Sequence, residues 1–69
     1  MPLSPISFAD ARRKMLSAGF VESTTVGSHV KFIRFARTAI VPKHREIKVG
    51  TLRSILRQAG LSVDEWESL

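Results

Sequence analysis

The sequence predicts one α+β domain. A helix and a later helix would cover one face of a three-stranded antiparallel sheet, with a short helix at the C-terminal end. Three observations predict it. Apolar residues recur at helical spacing near both ends of the chain. Between them, β-branched and aromatic residues fall into three short runs separated by turn-length breaks. The 69 residues, 43% of them hydrophobic, suffice for a single core.

Ser7 is a good N-cap for the first helix, and Asp10 three residues on makes a capping-box variant near the positive end of the helix dipole. Phe8, Ala11, Met15 and Leu16 form its predicted apolar face, with Arg12, Arg13 and Lys14 beside it. Ala18-Gly19 ends it, Gly19 suiting a left-handed backbone.

Phe20 to Val26 reads as a first strand and Gly27-Ser28 as a two-residue turn. The second strand, His29 to Phe35, carries Lys31 and Arg34. Alternation sends Val30 and Phe32 to one side and His29, Lys31 and Ile33 to the other, with Phe35 breaking the pattern. Ala36-Arg37-Thr38 is the expected connection to a short third strand, Ala39-Ile40-Val41. Pro42, which lacks an amide hydrogen, closes that strand.

Lys43 to Glu46 is a charged loop. The second helix starts at Val49 or Thr51 and ends at Ala59, with Leu52, Ile55, Leu56 and Ala59 inward, Arg53 and Arg57 on another face, and Gly60 stopping it. Ser62 and Glu65 form a capping box for the last helix, in which Leu61 would staple against Trp66. The order matches that of double-stranded-RNA-binding domains, which recognise RNA by shape and 2′-hydroxyl contact.

Composition narrows the chemistry. A domain this small buries only roughly 60% of its unfolded surface, so a working site is expected on the surface. No cysteine is present, which excludes disulfides and thiolate metal sites and is compatible with a reducing cytosol; a cytoplasmic location is expected. No apolar run approaches a membrane span, and Met1-Pro2-Leu3-Ser4-Pro5 does not read as a secretory leader. Net charge is +5, but between Ala11 and Val63 all eleven Lys and Arg face only Glu22 and Glu46, a local excess of +9. A polyanionic partner fits, because cations gain affinity by releasing condensed counterions. A surface tuned for solubility is the alternative.

Histidine is the side chain whose ordinary titration lies nearest physiological pH. Gly27-Ser28 delivers His29 to the start of a strand that also bears Lys31. RNA cleavage needs no protein nucleophile, since the substrate's 2′-hydroxyl attacks the neighbouring phosphate. It needs a base, an acid and positive charge. His29 would be that base or acid and Lys31 a phosphate contact, with Ser28 and the turn amides on phosphate oxygens. No cofactor or metal enters this scheme. The alternative is an exposed hairpin histidine without a role.

His44 would be a second proton-transfer group or RNA contact, or a flexible surface residue. Lys43, Arg45 and Lys48 read as RNA-binding contacts. Arg12, Arg13 and Lys14 read equally as a solvated helix face or an RNA footprint, and Trp66 as core or as a stacking platform. Two histidines fifteen apart without cysteine make no zinc signature, no Gly-rich phosphate loop follows a strand, and no buried acid is evident to orient His29 in a serine triad.

With these residues in view, the chain resembles the HicA, or YcfA-like, mRNA interferase toxins. Ala18-Gly19-Phe20 looks like the end of that family's first helix, and Gly27-Ser28-His29 like its Gly-Ser-His signature. Ile40-Val41-Pro42 with His44 resembles its third strand and exit. The segment from Gly50 through Leu52, Ile55, Leu56 and Gly60 to Ser62 is similar to its second helix and is the most specific. The resemblance covers nearly all of residues 1–69, read as one domain. It implies a double-stranded-RNA-binding-like fold, ribosome-independent cleavage of mRNA by the histidine at position 29, and neutralisation by a HicB-type antitoxin in a type II toxin–antitoxin pair. Two departures stand out. Phe35-Ala36-Arg37-Thr38 replaces a longer Pro-Asp-Gly-type turn, and Val49 stands where proline is common. The rival readings are a non-catalytic RNA-binding module and an adaptor whose basic face docks a protein.

Overall fold

The computed structural model describes residues 3–69; Met1 and Pro2, part of the segment read as no leader, lie outside the described residues. The elements follow the expected order: α1 (Phe8–Ser17), β1 (Val21–Val26), β2 (His29–Arg34), β3 (Arg37–Pro42), α2 (Val49–Ala59) and α3 (Val63–Glu67). The strands form one antiparallel sheet in the order β1-β2-β3.

Alternation divides the sheet as the sequence predicts. Val30 and Phe32 of β2 and Ala39 and Val41 of β3 are fully buried, whereas His29, Lys31 and Ile40 are exposed. Ala11 and Met15 of α1 and Leu52, Ile55, Leu56 and Ala59 of α2 join those strand residues in one core. Leu16 is the exception on α1: it is 39% exposed, because the covered stripe of this helix is narrower than its apolar pattern. Phe20 precedes β1 rather than opening it and is buried in the core.

The C-cap of α1 acts as read, while its N-cap keeps one half of the expected box, with no return bond to the Asp10 carboxylate among the described residues. The Ser7 hydroxyl accepts from the Asp10 amide at 3.1 Å, and Gly19 takes φ +92° beyond the C-cap Ala18. The start of α2 is Val49, behind Lys48, which makes no side-chain cap. Around α3 the capping box is complete. The Ser62 amide donates to the Glu65 carboxylate at 2.8 Å and the Glu65 amide to the Ser62 hydroxyl at 3.0 Å. Hydrogen bonding from the Ser62 amide first, and from the Ser62 hydroxyl second, holds the Glu65 carboxyl below the usual carboxylate range.

Trp66 is 1% exposed and belongs to the core, which excludes a stacking platform. Lys14 Nζ donates to the Trp66 carbonyl at 2.9 Å and lies 5.3 Å from the centre of its ring. Its ammonium is also 3.8 Å from Glu67. Arg12 pairs with Glu22 of β1 at 2.7 Å. Two of the three clustered cations of α1 therefore tie the helix to its neighbours, and only Arg13 is left without a protein partner among the described residues.

The connection between β2 and β3 departs from expectation. The turn is Phe35-Ala36, and β3 begins at Arg37 and includes Pro42, which pairs with His29. Pro42 is tolerated because β3 is an edge strand. Phe35 sits at φ +53°, a left-handed backbone that costs a bulky residue about 1–2 kcal/mol. The β3 edge is partly closed by α2: the Ile40 amide donates to the Gln58 side chain at 2.8 Å.

The candidate nucleic-acid interface

Gly27-Ser28 closes a two-residue hairpin in which Val26 pairs with His29. Gly27 alone of the two has a positive φ, +59°, which a residue bearing a Cβ adopts only with strain. The ladder then holds His29 from both sides, against Val26 of β1 and Pro42 of β3. One further bond locks the corner: the Lys43 amide donates to the Ser28 carbonyl at 2.6 Å. The position of the His29 backbone is thus fixed by three strands and one turn, and its side chain is exposed on the open face.

Lys31 lies two residues along β2 and shares that face, about 7 Å away along the strand. Arg34, which the sequence placed on the same strand, faces the other way. Its guanidinium donates to the Ala18 carbonyl at 2.6 Å, at the C-cap of α1, and lies 5.0 Å from the Phe20 ring. Strand parity explains this, since Arg34 shares the side of Val30 and Phe32.

The loop after β3 is pinned to the start of α1. The Phe8 amide donates to the His44 carbonyl at 3.2 Å, and Ile6 and Ile47 exchange two backbone hydrogen bonds. Lys43 Nζ sits 6.0 Å from the centre of the Phe8 ring. Lys43 and His44 are thereby carried next to the corner occupied by Ser28 and His29, with Arg45 following. Lys48 lies beyond the buried Ile47 at the N-cap of α2, and no hydrogen bond links it to that corner. Ser28, His29, Lys31, Lys43, His44, Arg45 and Lys48 are all exposed.

None of the six titratable residues in that set makes a salt bridge or a side-chain hydrogen bond among the described residues. Their charge faces solvent and is available to an anion. No group of three or more His, Asp and Glu side chains gathers as a metal site among the described residues.

Sequence reading missed the groove at the opposite end of the sheet. An open groove of about 580 Å³ is lined by Gly19, Val21, Glu22, Ser23, Ile33, Arg34 and Phe35. Phe35 is 94% exposed and Val21 66%. A second groove of about 310 Å³ lies behind α2 and includes Arg53, Arg57 and Leu61. Neither contains a residue of the His29 corner.

Against known proteins, residues 8–61 match the family model described as the HicA toxin of bacterial toxin-antitoxin. No curated protein matches the chain.

Proposed function

The chain belongs to the HicA toxin family, and on that premise we propose that it is the endoribonuclease of a type II toxin–antitoxin pair, cleaving mRNA in the cytoplasm without a metal or cofactor. Its partner would be a HicB-type antitoxin. The observation that carries this reading is the His29 corner: an exposed imidazole on a fixed backbone, beside Lys31 and the Lys43-His44-Arg45 segment, with no acid paired to any of them among the described residues.

In the proposed reaction the 2′-oxygen of one nucleotide bonds to the adjacent phosphorus and the bond to the leaving 5′-oxygen breaks. His29 takes the proton from the 2′-hydroxyl. As an imidazolium it then delivers that proton to the 5′-oxygen, so protons balance with a single histidine. Lys31 and Lys43 offset the charge that builds on the phosphorane, and Ser28, His44, Arg45 and Lys48 contact the backbone on either side. The products are a 2′,3′-cyclic phosphate and a 5′-hydroxyl. Mass spectrometry of the cut ends tests this directly, and a 5′-phosphate would rule the scheme out.

One observation favours a second reading, a non-catalytic RNA-binding module. No protein side chain hydrogen-bonds the His29 ring among the described residues, whereas catalytic histidines are commonly oriented by a third group. In the cleavage reading the substrate's own phosphate takes that orienting role on binding.

A further inference from the structure

Two cations of α2 serve neither the fold nor the His29 corner. Arg53 and Arg57 are exposed, and neither makes a salt bridge or a side-chain hydrogen bond among the described residues. They stand one turn apart on the helix, with Cβ atoms about 5–6 Å from each other. Both line the groove of about 310 Å³ where α2 meets the start of α3. Its lining comes from the helices and the N-terminal segment, which cover the buried face of the sheet. His29 and Lys31 are exposed on the other face.

The lining indicates what the groove takes. Leu3 and Leu56 are buried and Leu61 and Val63 half-buried, so its floor is aliphatic. No acid lines it, and the two guanidiniums are planar forks that pair with carboxylate or phosphate. A nucleic acid finds no other contact here. The Ser62 amide, the donor that a phosphate would use at the start of α3, is engaged by the Glu65 carboxylate at 2.8 Å. No aromatic ring lines the groove to stack a base. Two unpaired guanidiniums over an aliphatic floor match a protein segment in which carboxylates border an apolar side chain.

We propose that the antitoxin, the partner that family membership implies, docks an acidic segment on this groove. Two of its carboxylates, spaced by about one helical turn, pair with Arg53 and Arg57. An apolar side chain beside them rests on Leu56, Leu61 and Val63. This contact is on the far side of the sheet from the His29 imidazole. The proposal rests on the family and not on the cleavage chemistry.

The test uses the protein encoded by the reading frame adjoining this chain's gene, titrated calorimetrically into the wild type, Arg53→Glu, Arg57→Glu, Val63→Thr and Arg13→Glu. Arg13 is also exposed and unpaired among the described residues but lies on α1 outside the groove, so its variant matches the charge change alone. The arginines are exposed and Val63→Thr keeps the side-chain shape, so thermal melting should show Tm near wild type in all four. Expected is a loss of antitoxin affinity of about tenfold or more in Arg53→Glu and Arg57→Glu, about threefold in Val63→Thr, and at most about twofold in Arg13→Glu. Affinity for a labelled 2′-O-methyl RNA should be no lower in Arg53→Glu and Arg57→Glu than in Arg13→Glu, since all three lose the same charge. Wild-type antitoxin affinity in any groove variant overturns the proposal, as does an equal loss in Arg13→Glu or a wild-type chain that does not bind the antitoxin. A selective fall in RNA affinity with antitoxin affinity intact assigns the groove to RNA and overturns it too. A wild-type chain that binds the antitoxin but cuts no RNA defeats the ribonuclease reading alone.

Discussion

The Ser28 carbonyl accepts a 2.6 Å hydrogen bond from the Lys43 amide, so the turn that presents His29 and the loop that carries three further site residues are joined through the backbone. The contact belongs to the main chain of Lys43, while its side chain is exposed and extends over Phe8. Fold and RNA contact are thus assigned to different atoms of one residue.

Lys43→Ala separates the two. Tm should hold, because the amide remains. RNA affinity should fall, and the slope of log affinity against log salt should drop by about one. A salt titration by fluorescence anisotropy measures this. An unchanged slope would remove Lys43 from the interface.

Lys14 presents the opposite case, a cation used inside the fold. Its side chain is only 12% exposed and bonds to the Trp66 carbonyl. Lys14→Met should destabilise the domain by about 1.5 kcal/mol or more in urea unfolding, through the lost charge-assisted bond. RNA affinity should be nearly untouched. Strong loss of RNA binding without loss of stability would return Lys14 to the interface.

Glu65 links the C-terminal helix to pH. Its folded-state titration is lowered, first by the Ser62 amide and then by the Ser62 hydroxyl, so it stabilises the ionised, folded form. That contribution is present above the ordinary glutamate value of 4.5 and is lost as pH falls through the lower folded value. Glu65→Gln keeps the capping geometry without the charge. The stability gap between wild type and this variant should therefore be largest at neutral pH and close in acid. A gap independent of pH would contradict the assignment.

Much of this was legible in the sequence because the signals are local. Ser7, Gly19, Gly60 and the Ser62–Glu65 box mark helix ends by side-chain chemistry that acts within four residues. The period-two pattern of His29, Val30, Lys31 and Phe32 placed the histidine on the open face correctly. What was hidden depends on distant partners. Phe35-Ala36 carries no turn chemistry, so the sequence extends the second strand through Phe35 and sets the connection at Ala36-Arg37-Thr38, whereas the Phe residue takes up the turn between the paired strands β2 and β3. The path of residues 43–48 is set by Ile47, whose bridge partner Ile6 lies 41 positions away. Arg34 turns to the helix side by the same parity that exposes His29, and its partner, the Ala18 carbonyl, lies 16 positions away.

The central claim is that the His29 imidazole moves the proton while the remaining cations hold the RNA. Single-turnover cleavage and equilibrium binding of one labelled RNA, measured side by side for wild type and His29→Ala, test it most directly. The account predicts that the variant loses about 10²–10⁴-fold in cleavage rate while its RNA affinity and Tm stay close to wild type. A variant that cuts at the wild-type rate, or a wild type that binds RNA without cutting it, would contradict it.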